Sequence, residues 1–423
     1  MINKLKPKSE FSRNVLTLMT GTTIAQAIPI AISPILTRIY TPEDFGVFAL
    51  YMSVASIVSV VATGRYELAI MLPKKDEDAM HLVVLSLMIA GLVSFIVLFI
   101  VYIFNDEITL FLKNPEIANW LYFIPLSVLM TGIYQSLNYW NNRKKEYRRL
   151  SINRILQSGT TATLNVTMGV NGFGSSGLIV GGLIGQGVAT TILANIFRRD
   201  YNLLVPNIMK LKIVALAKKY IEFPRINSMH AFLNIFSSQL PIFLISYFFQ
   251  NTITGFYSLA NKVLLAPMNI ITISYGQVFL QKMSSLYKEE GNEELKLYRE
   301  TTSKLLLYSF PIFFIFFIFL QDIFSFIFGD KWEIAGVYAQ ILIPMLYLRF
   351  TGSIVSSVVI IYNKQKKALN IEIINTILRV LLLVIGGVLK SVIVGLILFS
   401  FFSFLVTLYR LFWYAEILKK ENV

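Results

Sequence analysis

Residues 305–328 read LLLYSFPIFFIFFIFLQDIFSFIF, an apolar run with one charge, Asp322. A membrane β-barrel strand would be about ten residues long and would alternate apolar with polar side chains. This run does neither, and about 20 apolar residues suffice for an α-helix to cross the hydrocarbon core. It is predicted to be a membrane-spanning helix. Working outward, the same reading gives twelve spans, at 14–39, 46–72, 81–103, 118–140, 152–170, 176–197, 226–249, 256–281, 304–328, 337–361, 371–388 and 392–415. The composition agrees: 423 residues, 55% hydrophobic and only 15% charged, with mean hydropathy +0.64. A soluble domain carries about a quarter charged residues. The 33 Phe and 21 Tyr exclude a disordered chain, and the absence of Cys excludes disulfides and thiolate chemistry.

The net charge of +14 raises the question of nucleic acid, and its distribution answers it. Basic residues gather on alternate connections: Lys4, Lys6, Lys8 and Arg13; Arg143, Lys144, Lys145, Arg148 and Arg149; Lys210, Lys212, Lys218 and Lys219; Lys364, Lys366 and Lys367; Lys419 and Lys420. The opposite connections hold only Lys113, Lys331 and Lys390. By the positive-inside rule both termini are expected in the cytoplasm, with the basic side facing anionic membrane lipids. No basic-aromatic module stands outside the membrane, so no nucleic-acid partner is expected.

The two halves look related. Asn141, Lys144, Lys145, Asn153, Ile155 and Leu156 recur at one constant offset as Asn363, Lys366, Lys367, Asn375, Ile377 and Leu378. The expected architecture is therefore an all-α integral membrane protein, with about 12 helices in two pseudo-symmetric six-helix lobes around a central cavity. The lobes are set at 1–197 and 226–423. Between them 198–225 is expected to be a cytoplasmic linker, amphipathic through Ile208, Leu211, Val214, Leu216 and Ala217 among its lysines. Parallel repeats of this kind suit a transporter that rocks one half against the other.

Charges near mid-bilayer cost about 2.5–3.5 kcal/mol each on insertion scales, so each one needs a reason. Arg349 and Arg379 lie at the centres of their spans, too deep to reach the interface, and are expected to face a polar cavity. Lys262 is a turn and a half into its span, and Arg38 is near a span end. Arg65 and Glu67 are two apart on a predicted helix, so they are expected to project to opposite sides without pairing. Asn153, Gln157, Thr161 and Asn165 form an i, i+4 polar stripe, and the repeat sets Asn153 against Asn375 and Gln157 against Arg379. Asn153, Gln157 and Asn375 are expected to line the cavity, and Glu67 is the candidate for coupling to a proton.

Other patterns carry less. Gly172, Gly174 and Gly177 spell GxGxxG, but they fall in a turn between two spans without the strand-turn-helix context of a nucleotide site. Gly177, Gly181 and Gly185 read as a helix-packing stripe. His81 and His230 cannot build a metal site, no Walker A motif is present, and no cofactor is expected.

Thr37-Arg38-Ile39-Tyr40-Thr41-Pro42-Glu43-Asp44-Phe45-Gly46, with Gly64-Arg65-Tyr66-Glu67-Leu68-Ala69-Ile70, resembles the bacterial O-antigen and polysaccharide flippases of the multidrug/oligosaccharidyl-lipid/polysaccharide exporter superfamily. The resemblance implies export of an undecaprenyl-diphosphate-linked oligosaccharide, such as a lipopolysaccharide O-antigen unit, from the inner to the outer leaflet of the cell's inner membrane. It also implies a cationic lumen, with Arg38, Arg65 and Glu67 in the matched motif, and work beside polymerase and chain-length proteins of the same pathway. Such a protein is not an enzyme, because no bond is made or broken. The alternative is a multidrug or other small-molecule exporter of the same superfamily. That reading predicts mid-membrane acids, whereas the deepest charges here are Arg349 and Arg379.

Overall fold

A computed structural model describes residues 10–204, 209–289 and 293–420. The expected basic residues Lys4, Lys6 and Lys8, and Ile208 of the expected linker helix, lie outside the described residues. Every described element is helical. α1 (Glu10–Ile39) is followed by α2 (Pro42–Ser59) and a 3-10 segment, Tyr66–Met71. Then come α3 (Asp76–Leu112), α4 (Ala118–Leu121), α5 (Ile124–Arg143), α6 (Tyr147–Val170) and α7 (Ser175–Leu204). α8 (Lys210–Lys219) and α9 (Ser228–Phe248) precede α10 (Asn251–Glu289) and α11 (Glu294–Phe328). α12 (Glu333–Val355), α13 (Val358–Ile361), α14 (Gln365–Val388) and α15 (Val392–Lys420) complete the chain.

Among the described residues nine helices are long and apolar enough to cross a membrane. The count is ten if the segments 115–121 and 124–143, bent by 49°, form one span. The protein is a multi-pass, all-helical membrane protein. The two remaining predicted spans fall on α2 and α6. α2 is shortened to 18 residues by the break after Ser59, and α6 carries the polar stripe and the arginines of its first turns.

The chain divides into two compact units, one ending at Phe243 and the other beginning at Leu244. The division falls inside α9, not on either side of 198–225. Unit 1 claims the expected linker because α8 is docked on it. Ile213 is buried in a cluster with Tyr66, Ile70, Met80 and Trp140, while Leu216 and Tyr220 pack against the same cluster. Tyr66 donates its hydroxyl to the Ala217 carbonyl at 2.9 Å, and Lys212 lies 3.6 Å from both Glu77 and Asp78. Leu211 and Val214, on another side of α8, stay exposed.

The corner between α1 and α2 shows how the first motif folds. Thr41 caps α2 in a reciprocal box with Asp44, with Pro42 at the start of the helix, where its missing N–H costs nothing. Tyr40, 1% exposed, donates to the Asn165 carbonyl of α6 at 2.6 Å. Gly177 of α7 gives that hydroxyl its room, since a Cβ there would overlap it. α6 and α7 meet along the rest of the glycine stripe: a Cβ on Gly181 would overlap Asn165, and one on Gly185 would overlap Thr161. The stripe is a packing seam.

Candidate functional site

In unit 2 the membrane helices carry a basic cluster. α12 is buried along Leu342, Ile343, Leu346, Leu348 and Phe350, yet Arg349 between them is exposed. It makes no hydrogen bond or ion pair among the described residues, and it lies within electrostatic range of Arg379 and of buried Tyr257. Arg379 of α14 donates from Nε to Ser403 Oγ at 2.9 Å, reaches Glu372 at 3.9 Å and lies over the Phe399 ring at 5.5 Å. Glu372 is also ion-paired with Arg410 of α15. Two guanidinium groups thus share one carboxylate, and a third, Arg349, lies within electrostatic range of Arg379. In a low-dielectric setting the two that are not neutralised repel each other, and an arriving anion relieves that repulsion.

Glu372 and Arg410 escaped the sequence reading, although a signal was present. Glu372 and Arg379 are seven residues apart, as are Ser403 and Arg410. Seven residues are about two helical turns, so each pair shares a face. Of the other expected cavity residues in unit 2, Lys262 is exposed on α10 without an ion pair among the described residues, and Asn375 is buried at 4% exposure.

Arg65 and Glu67 require a correction. They do pair, Arg65 Nη1 lying 3.5 Å from Glu67 Oε1. The expectation that they diverge assumed a continuous helix over 46–72, but α2 ends at Ser59. Gly64 (φ 56°) and Arg65 (φ 61°) then turn the backbone through the left-handed region. That reversal brings residues two apart onto one side. Glu67 is 1% exposed and also accepts from the Thr63 hydroxyl. The second motif is therefore a structural knot: a glycine where φ is positive, a neutral ion pair, and a tyrosine that holds α8. Arg38 is exposed in the last turn of α1.

The polar stripe of α6 is mostly committed inside unit 1. Gln157 bonds Gln186 of α7, and Asn165 fills the space left by Gly181. Asn153 is 1% exposed, with neither amide atom hydrogen-bonded among the described residues. The register of the repeat also changes. α6 and α14 are both 24 residues long, the first opening at Tyr147 and the second at Gln365. A residue of positive φ stands two before each start, Lys145 (φ 59°) and Asn363 (φ 54°). Matching these turns sets Gln157 against Asn375 and Thr161 against Arg379, one helical turn away from the sequence match. A four-residue slip keeps the same face outward, and so the sequence alone does not reveal it.

Residues 35–336 match the family described as polysaccharide biosynthesis protein. The succinoglycan biosynthesis transport protein ExoT of Rhizobium meliloti (strain 1021) is 24% identical over 315 residues. That alignment covers 71% of this chain and 59% of the relative, so the chain matches less than two thirds of that protein's length. Among solved structures, the lipid II flippase MurJ in an inward closed conformation superposes with a TM-score of 0.74 at 14% identity, over 94% of this chain and 87% of that one. An inward-facing multidrug resistance transporter of the MATE family, MOP superfamily, gives 0.67 at 14% identity, over 95% and 96%. At these identities the likeness is one of fold.

Proposed function

Since the chain belongs to the polysaccharide biosynthesis protein family, we propose that it is a flippase that carries an undecaprenyl-diphosphate-linked oligosaccharide from the cytoplasmic to the outer leaflet by alternating access. The observation that carries this reading is the excess of guanidinium groups around Glu372 in membrane helices, with Arg349 exposed and unpaired. A lipid-linked diphosphate bears about two negative charges, and Arg offers always-charged, bidentate donors to its oxygens. Arg349 and Arg379 receive the diphosphate, Lys262 adds positive charge on α10, and the hydrocarbon tail stays in lipid. No bond is made or broken, so the protein acts as a carrier and not as an enzyme. The fold it shares with a lipid II flippase and a drug exporter is compatible with either cargo; the arginine cluster favours the anion.

On this reading the membrane is the inner membrane with both termini cytoplasmic, an orientation that the asymmetry of the loop charges supports. A reporter fused at Lys144 or after Lys420 should read cytoplasmic, and one near Pro115 should read outside; a periplasmic signal at Lys144 refutes this orientation. The cargo is tested in a deletion strain. The lipid-linked oligosaccharide should accumulate there on the inner leaflet and clear when the gene is restored. Normal surface polysaccharide in that strain would refute the assignment.

A further inference from the structure

Two cavities in unit 1 adjoin along α7, and nothing in the proposed transport cycle uses them. The larger, about 520 Å³, lies between α5 and α7 and is walled by Leu126 and Met130 on one side and Ile184, Val188 and Ile192 on the other. The smaller, about 300 Å³, is lined by Arg148, Arg149, Asn153 and Leu156 of α6 and again by Ile192. Ile192 lines both, so the apolar groove and the basic pocket meet at its side chain. We propose that the two together hold one anionic phospholipid of the surrounding bilayer, its phosphodiester beside Arg148, Arg149 and Asn153 and one acyl chain passing Ile192 to lie along α7.

The pocket has the chemistry of a phosphodiester head. Asn153 is 1% exposed and neither Nδ2 nor Oδ1 finds a partner among the described residues. A buried amide left this way is unfavourable, and a ligand that pairs with it recovers that loss. Asn153 lies at the pocket wall with both amide atoms covered, so its amide meets a phosphate oxygen only once the side chain turns toward the pocket. Arg148 is exposed and holds no partner among the described residues. Arg149 gives one nitrogen to Asn141 Oδ1 at 3.1 Å and another to Glu146 at 3.6 Å. The pocket therefore keeps a net positive charge after Glu146 is counted. Among the described residues no side chain caps the start of α6, so its first amides add to the same field.

The groove has the dimensions of one leaflet. It runs along α7 from Val180 to Ile192. That stretch rises about 18 Å, against about 15 Å for half of a hydrocarbon core. One acyl chain fits, whereas a polyprenyl carrier chain would overrun it. Gly187 opens the groove: among the described residues a Cβ there would meet only the flexible tip of Met130.

The full-length protein can be purified in mild detergent and its bound lipid measured by native mass spectrometry, with melting followed in phosphatidylglycerol and in phosphatidylcholine nanodiscs. Wild type should retain a single phosphatidylglycerol and melt higher in phosphatidylglycerol. Arg148→Glu and Gly187→Leu should each lower retention by roughly tenfold or more. Arg148 is exposed, so its variant does not threaten the fold, and it keeps the test valid if Gly187→Leu fails to accumulate. Inorganic phosphate alone should neither stabilise the protein nor displace the lipid. The proposal is overturned if wild type retains no phospholipid or if Arg148→Glu retains as much as wild type. It is equally overturned if phosphate alone reproduces the stabilisation, or if a polyprenyl phosphate displaces the phospholipid at equal amounts.

Discussion

α6 and α14 are the same piece of scaffold put to two uses. Each is 24 residues long, each follows a residue of positive φ, and each is followed by another, Gly172 (φ 76°) after α6 and Lys390 (φ 53°) after α14. Each then packs on the next helix through glycine: Gly181 and Gly185 of α7 beneath α6, and Gly386 of α14 against Gly395 of α15. Their polar faces differ. α6 offers Gln157, Thr161 and Asn165, which are neutral and fill the seam with α7. α14 offers Glu372, Asn375 and Arg379, tied to Ser403 and Arg410 with positive charge left over. Turns and small-residue contacts fix the scaffold, so a few side chains are free to decide whether the same face closes a seam or attracts an anion.

The largest effect should come from exchanging the two faces. Thr161 and Arg379 occupy equivalent places, yet Thr161 abuts Gly185 with no room to spare. Thr161→Arg forces a long cation into that seam with no carboxylate beside it, a penalty of several kcal/mol. The variant should fail to accumulate in the membrane, whereas Arg379→Thr should accumulate normally but not export. Equal accumulation of both would show the faces to be interchangeable and end the comparison.

Next in size is the loss of function at the charged face. Arg349→Ala and Arg379→Ala should each reduce export by more than roughly tenfold while leaving protein levels near wild type. Lys at either place should rescue partly, keeping the charge but not the bidentate fork. Glu372→Gln frees two guanidinium groups and should tighten binding of a diphosphate lipid while slowing its release. Full export by the double Ala variant refutes the cationic-site reading.

How much of this was legible beforehand depends on the range of the interaction. Apolar runs such as 305–328 declare a helix by themselves, and long described helices cover most of those runs, the one at 46–72 being broken after Ser59. The packing role of Gly177, Gly181 and Gly185 was likewise readable, because four-residue spacing is a helix-face signal. Arg65 and Glu67 were misplaced because two left-handed residues, Gly64 and Arg65, cancel any argument from helical spacing. The repeat was found one turn out of register because basic loops resemble each other by composition, whereas the turns that anchor the helices differ in residue type, Lys145 in one and Asn363 in the other. The Arg379–Glu372–Arg410 cluster joins two helices, and sequence periodicity ranks faces within one helix only. The docking of α8 on unit 1 depends on Tyr66 reaching Ala217, a contact between distant residues.

A smaller effect separates the neutral pair of unit 1 from the basic cluster of unit 2. Glu67 is enclosed by Arg65 and Thr63, which favours a fixed ion pair over a proton carrier. Glu67→Gln should lower the melting temperature by a few degrees, consistent with about 1–3 kcal/mol for an unpaired buried partner. Transport in reconstituted vesicles should keep its ordinary response to a pH gradient. Loss of that response would assign Glu67 to proton coupling and overturn the structural role.

The smallest effect lies in the two turns that set the register. Lys145 and Asn363 both hold positive φ, at 59° and 54°. The left-handed region costs an ordinary L-residue about 1–2 kcal/mol, while Asn tolerates it through its short polar side chain. Glycine removes that strain but brings about 0.5–1 kcal/mol of extra unfolded-chain entropy. Lys145→Gly should therefore raise the melting temperature slightly, and Asn363→Gly should leave it unchanged or lower it. Because Lys145→Gly also removes a loop charge, Lys145→Asn serves as the control: it removes the same charge while keeping a side chain suited to the turn, and should give a similar gain. If Asn363→Gly stabilises as much as Lys145→Gly, the two turns do not share a backbone requirement. The register that sets Thr161 against Arg379 then loses its anchor, and the exchange of faces loses its basis with it.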